Sequence, residues 1–314
     1  MECNEEGGVR LIAVVGSANM DIVTQVPHIP KPGETVLGRC ATRYPGGKGA
    51  NQAVAAARLG EAVVFFGKVG EDVYGDELLV ALRQAGVDVS AVERVAEDAT
   101  GLASILVDDA GENAIAYAPG ANAAVDRGYV DRHFDELCKA DVLLLQFEIP
   151  LDVIAHLLKR LPPQRPVIIV DPAPAQNLSG LLLDRIDYLT PNRTEMLALS
   201  GGDDIASAAR DLLRQGVRAV ICKDGKNGAY LFAGTEAIHF PAPRIQAVDT
   251  TAAGDAFNGA FAQALARGPV EEAIAWANLV AALSTMTAGA QPSLPTREGV
   301  EAFKHHVQEA SSSQ

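Results

Sequence analysis

Short apolar runs at residues 11–16, 63–69, 142–146, 167–170, 188–190 and 219–222 are continuous rather than alternating, and helical patterns lie between them. A strand whose every residue is apolar must be covered on both faces, which a parallel sheet between helices provides. The intervening helices carry clear stripes: Ala50, Ala53, Val54 and Ala57; Ile205, Ala208, Ala209 and Leu212; Phe257, Ala260, Phe261, Ala264 and Leu265. Strand–helix alternation of this kind predicts an α/β fold with a parallel sheet and helices on both sides. The 314 residues can bury roughly three quarters of the surface exposed by the unfolded chain, enough for one large domain. No repeat or low-complexity linker divides the chain, so residues 1–314 are read as one unit.

Two stretches break the rhythm. Asp21 to Tyr44 is rich in β-branched residues, proline and glycine without a helical period. Thr100 to Ala118 holds two strand-like runs, 102–107 and 114–118, joined by Asp-Asp-Ala-Gly-Glu-Asn, a hairpin turn. Both read as antiparallel strands outside the main sheet, an accessory sheet inserted in two pieces at about 21–45 and 100–120. Such a sheet is able to cover a site as a lid.

Charge narrows the ligands. With 40 acidic and 26 basic residues the net charge is −14, a surface that repels nucleic acid and anionic membranes. An anionic ligand therefore needs a local site, which points to backbone amides rather than a basic patch. Cys3, Cys40, Cys138 and Cys222 form no CxxC pair and read as free thiols in a reducing cytoplasm. His305 and His306 read as solvated. Residues 1–8 are acidic and polar, unlike a secretory signal, and no apolar run has the length of a membrane span.

The most informative segment is Val248-Asp249-Thr250-Thr251-Ala252-Ala253-Gly254-Asp255-Ala256-Phe257, which passes from a β-type stretch through small residues into a helix. Ala252, Ala253 and Gly254 allow close approach to backbone amides at a helix start, where the partial charge is about +0.5. That is an anion hole suited to a phosphoryl group. Asp255 follows directly; a plain helix-start carboxylate is the alternative. Gly46-Gly47-Lys48-Gly49-Ala50-Asn51 also precedes a helix. It is not a Walker A loop, because Gly49 follows Lys48, and it reads as a hinge that binds a polar ligand.

Gly16-Ser17-Ala18-Asn19-Met20-Asp21 ends the first strand, where open α/β sheets bind ligands. Asn19 and Asp21 suit sugar hydroxyls, and the dinucleotide fingerprint GxGxxG is absent. Glu148 closes another strand, either solvated or a ligand. Asn192 and Glu195 have the spacing of a capping box. Lys223 to Gly228 reads as a hairpin turn. Asn278 lies in a helix apolar nearly all round, and its partners are either protein groups or a nucleotide.

Together these segments, with Gly289-Ala290-Gln291-Pro292-Ser293, resemble the ribokinase family of carbohydrate kinases over essentially the whole chain. The resemblance implies a three-layer α/β/α sandwich with a mostly parallel central sheet and a small β-sheet lid, and a homodimer clasped through the lids. It implies phosphorylation of D-ribose by MgATP, with Asp255 as general base and the amides of Ala252, Ala253 and Gly254 as anion hole. It implies sugar contacts from Asn19, Asp21, Gly47, Lys48, Gly49, Ala50, Asn51 and Glu148. The nucleotide side falls to Asn192, Glu195, Lys223, Asp224, Gly225, Lys226, Asn227, Gly228, Gly254 and Asn278, with Asn192 and Glu195 linked to Mg²⁺ through water. Asp249, Thr251, Ser284, Thr287, Gly289 and Ser293 match positions that hold an activating K⁺. Lys223 stands where the family usually has Thr, and Asn278 where it often has His.

Overall fold

Ile12 and Val14 of strand β1 (Leu11–Val15) face one apolar cluster, and Ala13 and Val15 face another; all four are buried. This two-sided burial is what continuous apolar runs require. In a computed structural model of the chain, the structure describes residues 10–163, 166–234 and 236–312. The polar start at residues 1–8, with Cys3, lies outside the described residues.

β1 lies inside a nine-stranded sheet with β4 (Ala62–Phe66) and β6 (Val87–Asp88) on one side. On the other side follow β10 (Val142–Gln146), β11 (Val167–Asp171), β12 (Tyr188–Leu189) and β13 (Ala219–Lys223), all parallel. The antiparallel β14 (Ala229–Phe232) and β15 (Ala237–Phe240) complete that edge. Helices α1 (Lys48–Arg58), α2 (Val73–Gln84), α8 (Ala253–Leu265), α9 (Val270–Ser284) and α10 (Arg297–Ser312) cover one face. α3 (Arg127–Arg132), α4 (Phe134–Leu137), α5 (Leu151–Arg160), α6 (Arg193–Ser200) and α7 (Ile205–Arg214) cover the other. The result is the expected three-layer α/β/α sandwich with a mostly parallel sheet.

The run at 63–69 is not one strand. β4 stops at Phe66, and β5 (Lys68–Gly70) pairs instead with β7 (Glu93–Val95). Gly67 makes the break: a Cβ there would lie 2.7 Å from the carbonyl oxygen of Gly16, so only glycine lets the chain cross the end of β1.

The smaller sheet has the order β3 (Cys40–Gly46), β2 (Asn19–Gln25), β8 (Gly101–Val107), β9 (Asn113–Ala118). Its outer pairs are antiparallel, and the turn after Val107 is a hairpin closed at Asp108. The central pair β2–β8 is parallel, against the antiparallel expectation. β2 follows β1 of the main sheet and β8 follows β7 of the two-stranded sheet; they run side by side with Asn19 opposite Gly101, so two hairpin-like pairs join through parallel neighbours.

α1 and α8 cross closely. A Cβ on Gly259 would lie 2.5 Å from the Cβ of Ala55 and 2.7 Å from the Gln52 carbonyl oxygen. This contact sets the N-terminal turns of the two helices side by side, at the C-terminal ends of the parallel strands. Among the described residues no helix is long and apolar enough to cross a membrane.

Candidate active site

The N-terminal turn of α8 is unusual in its backbone. Ala252, its N-cap, has φ 59° and ψ 9° and is the only non-glycine residue with positive φ among the described residues. An L-residue pays about 1–2 kcal/mol for this conformation. It swings the chain from residues 249–251 into the helix. The amide of Ala253 closes a 3.2 Å bond to the Thr250 carbonyl, so it is committed to that turn and not free for an anion. The amides of Ala252, Gly254 and Asp255 have no protein acceptor among the described residues. Of the expected Ala252, Ala253 and Gly254, the first and last thus keep free amides, with that of Asp255 beside them.

Asp255 is 5% exposed in the first turn of α8. Its Oδ2 accepts from Asn51 Nδ2 at 2.9 Å and its Oδ1 from Gln52 Nε2 at 3.1 Å. Burial raises its pKa to about 6, Asp171 adds to that, and the Lys48 ammonium opposes it. The carboxylate is thereby poised to take a proton near neutrality. For Lys48, burial opposes the charge, but Asp255, Asp171, Glu148 and Glu195 outweigh it and hold its pKa above the ordinary lysine value.

Glu148 is neither simply solvated nor free. Its Oε2 accepts from Ser17 Oγ at 2.5 Å, Lys48 N at 3.1 Å and Asn19 Nδ2 at 3.2 Å. This ties the end of β1, the loop 46–49 and the strand end after β10 into one cluster. Asp21, on β2, lies over Gly46, where a Cβ would come within 2.1 Å of its Oδ2. Burial, then the charges of Glu148 and Asp255, raise the Asp21 pKa to about 7. Gly47 has φ 90°, and a Cβ there would sit 2.7 Å from the Asn19 amide nitrogen. Gly47 and Gly49 pack backbone against backbone, and Gly46 makes room for the Asp21 carboxylate. Gly49 and Ala50 direct their amides to Ser17 Oγ and the Ser17 carbonyl, 3.4 and 2.8 Å, so they brace the cluster and offer no free amide to a sugar.

On the far side, Asn192 and Glu195 form the capping box of α6. Burial raises the Glu195 pKa. The backbone of Lys223 bridges to Asn192, and its Nζ lies 2.9 Å from Asp171 Oδ1 and 3.5 Å from a Cβ placed on Gly254. Lys223 therefore reaches the α8 turn, while Asp224 to Gly228 form the hairpin turn into β14, with Gly225, Lys226 and Asn227 in a single 3₁₀ turn. Asn278 is buried and donates to the Phe240 carbonyl at 2.8 Å, so one partner is a protein group.

Asp249 accepts from the amides of Thr251 (2.9 Å) and Gly289 (2.8 Å), which hold its carboxyl below its ordinary pKa despite partial burial. It pins the segment before α8 to the loop after α9. Ser284 and Ser293 are buried, and their hydroxyls donate to the carbonyls of Ala281 and Ala290. Thr287 is exposed, its amide bonded to the Ser284 carbonyl. Any cation here would meet backbone carbonyls and the Asp249 carboxylate, an oxygen set that suits a hard monovalent ion. Among the described residues no group of three or more His, Cys, Asp or Glu side chains is placed to hold a metal.

Four buried polar residues of the site stood outside the sequence reading: Gln52, Asn122, Gln146 and Asp171. Asn122 accepts from the Ala18 amide and donates to Asn19 Oδ1 at 2.7 Å. Asp171 ends an apolar strand just as Glu148 follows one, and that signal was available.

Unpaired amides at a helix start beside a buried carboxylate, at the strand ends of an α/β sandwich with an accessory sheet, have the geometry that phosphoryl transfer requires. The chain belongs to the pfkB family of carbohydrate kinases, whose family model it matches over residues 9–297. It is 40% identical to a ribokinase of Bacillus subtilis over 294 residues, 93% of this chain and 99% of that one. It is 36% identical to a deoxyribokinase of Salmonella typhimurium over 303 residues, 94% and 98% of the two chains. The structure of Arabidopsis thaliana ribokinase complexed with ribose and ATP superposes with a TM-score of 0.87 at 35% identity, covering 94% and 98%.

Proposed function

We propose that this chain transfers the γ-phosphoryl group of ATP to the 5-hydroxyl of D-ribose, giving ribose 5-phosphate and ADP. The observation that carries the reading is Asp255: a buried carboxylate, raised in pKa, fixed by two amide donors, and adjoining the unpaired amides of Ala252 and Gly254. The similarity to ribokinases, one of them described with ribose and ATP, supports the choice of substrates.

Asp255 takes the proton of the sugar hydroxyl as its oxygen bonds to the γ-phosphorus in line, while the bond from phosphorus to the β,γ-bridging oxygen breaks and ADP leaves. The amides at Ala252 and Gly254 receive the charge spread over the transferring group. Asn19, Asp21, Gly47, Lys48, Asn51 and Glu148 bind and orient the sugar. Asn192, Glu195, Gly254, Asn278 and the stretch from Lys223 to Gly228 serve the nucleotide. Mg²⁺ would travel with the phosphates, neutralising their charge, with Asn192 and Glu195 reaching it through water. K⁺ would be held by Asp249, Thr251, Ser284, Thr287, Gly289 and Ser293, and would fix the shape of the anion turn.

In this reading residues 1–314 form one cytoplasmic kinase domain. The four-stranded sheet, inserted at about 21–45 and 100–120, closes over the sugar as a lid and excludes water that would compete as acceptor. Exposed Ile115 and Tyr117 on the edge strand β9 support pairing of two lids in a homodimer. The test is ADP release over a panel of pentoses, hexoses and nucleosides with MgATP. Ribose as the best acceptor upholds the assignment, and an active enzyme that ignores ribose overturns it.

A further inference from the structure

Beneath the anion turn runs an unbroken chain of polar contacts from β13 to α8. Lys223 Nζ is 2.9 Å from Asp171 Oδ1, Asp171 Oδ2 accepts from Gln52 Nε2 at 3.0 Å, and the same nitrogen donates to Asp255 Oδ1. Gln52 is fully buried, and its two N–H hydrogens are divided one to each carboxylate. Its own oxygen accepts from Gln146 Nε2 at 2.7 Å. Turning the amide over would set that oxygen against both carboxylates, so the side chain has a single allowed orientation.

Two buried carboxylates bridged by one amide repel each other, and such an arrangement persists only with a counter-charge. Lys223 supplies it on the Asp171 side. Lys48 faces both carboxylates from α1. We propose that Gln52 and Asp171 are the positioning residues of Asp255, and that Lys223 is the cation that pairs with Asp171 and holds it in place. The inference rests on the reading of Asp255 as the base. It ties the aim of that base to the strand end from which the hairpin turn of residues 224–228 leaves, so the accepting hydroxyl and the nucleotide meet a common frame.

Other charged groups around this chain are accounted for. Asp21 faces Asp255 from β2, Glu148 faces Lys48 and Asp21 from the end of β10, and Glu195 faces Lys223, Asp171 and Lys48 from α6. None of them is hydrogen-bonded to Gln52 or Asp171.

The experiment compares kcat against pH, at saturating ribose and MgATP, for the parent enzyme, Asp171→Asn, Lys223→Met and Gln52→Leu, with melting temperatures for each. Asparagine still accepts from Gln52 but removes the charge that opposes ionisation of Asp255, so the acid limb moves to lower pH. Methionine keeps the apolar stem of Lys223 but leaves the Asp171 charge uncompensated, so the acid limb moves to higher pH. Leucine at 52 lowers kcat by about 10- to 100-fold, with the KM for ribose changed by less than about threefold, as expected when a catalytic group is misplaced. Packing damage alone cannot move two limbs in opposite directions. Limbs that stay put, or move together, overturn the proposal. Should Gln52→Leu fail to fold, the opposite signs of the other two variants still decide it. Full activity in Asp255→Asn would instead remove the base itself, an outcome distinct from unmoved limbs in an enzyme that needs Asp255.

Discussion

Asn51 and Asp255 are 204 positions apart in the chain and joined by a 2.9 Å hydrogen bond from Nδ2 to Oδ2. The bond links the first turns of α1 and α8, one following the glycine loop at 46–49, the other the anion turn. Asn51 Oδ1 is buried and has no partner among the described residues. An unmet buried acceptor costs about 1–3 kcal/mol, a penalty recovered if a ligand hydroxyl donates to it. The same asparagine thus holds the Asp255 carboxylate and leaves a buried acceptor open.

Asp255→Asn keeps the size of the side chain and loses the proton acceptor. Turnover should fall by at least ~10²–10⁴, with the KM for sugar and ATP little changed and the melting temperature at least maintained. Steady-state kinetics and thermal melts of the purified variant check this. Turnover within a few-fold of the parent would remove Asp255 from the role of base.

Ala252 carries the strained turn of the anion site, and its two neighbouring side-chain sizes should act in opposite directions. Ala252→Gly removes the Cβ at φ 59° and should stabilise the fold by about 0.5–1 kcal/mol, with activity retained. Ala252→Val puts a β-branched side chain at the same φ and should cost more than about 1 kcal/mol, with a loss of kcat. Chemical denaturation of both variants gives the two signs. A stabilised valine variant would contradict the backbone geometry.

Which parts of this were legible in the sequence follows from range. The strands 142–146, 167–170 and 219–222 announced themselves because burial on both faces leaves them apolar throughout, apart from Gln146 at a strand end. The stripe on α8 did so because it packs along its whole length. Gly67 did not reveal that it splits β4 from β5, since the reason is the Gly16 carbonyl, 51 positions earlier. The parallel β2–β8 pairing was invisible for the same cause: register between distant segments leaves no local pattern. Asp255 and its small-residue turn stand out within ten residues of chain. Gln52 reads as one more polar helix residue until Asp171 and Asp255 are brought to either side of it.

The raised pKa values of Asp21, to about 7, and Asp255, to about 6, give stability and activity opposite pH trends. A carboxyl whose folded pKa lies above its unfolded value binds its proton more tightly when folded. The ionised form is therefore penalised above the folded pKa, and stability rises as pH falls from about 8 toward 5. The ligand-free protein should melt at higher temperature across that interval, and Asp21→Asn should flatten the dependence and raise the melting temperature at pH 8. Over the same interval kcat/KM for the sugar should fall as both groups take up protons. Asp21→Asn should leave a single acid ionisation at or below about 6. Melting temperatures that drop on acidification to pH 6 would oppose this.

Asp249 joins Thr251 and Gly289 through two amide bonds, and the anion turn begins immediately after it. Replacing Na⁺ by K⁺ at matched ionic strength should raise kcat, with little effect on which sugar is used. Asp249→Ala should abolish the difference between the two ions and lower the activity in K⁺. Equal rates of the parent enzyme in both salts would argue against a monovalent site.

In the proposed function, selectivity depends on the cluster of Asn19, Asp21, Lys48, Asn51 and Glu148. A relative named deoxyribokinase is nearly as similar to this chain as one named ribokinase, so overall identity does not discriminate between the two sugars. Asp21 is held against Gly46 with no room for a Cβ, and Asn51 presents an unpaired buried oxygen. A closed site built to pair each sugar hydroxyl can reject an analogue that lacks one by as much as ~10⁴, because the abandoned groups stay buried and unpaired. Ribose should therefore exceed 2-deoxyribose in kcat/KM, and fructose and adenosine should be poor acceptors. Asp21→Ala should weaken ribose use and narrow the gap, and Gly46→Ala should do the same by displacing the Asp21 carboxylate without removing it. A kinetic series with the four acceptors at saturating MgATP and K⁺, on the parent and both variants, makes the comparison. If 2-deoxyribose matches ribose in the parent, the cluster does not read the 2-hydroxyl; if Gly46→Ala leaves the ratio unchanged, Asp21 is not the group that does.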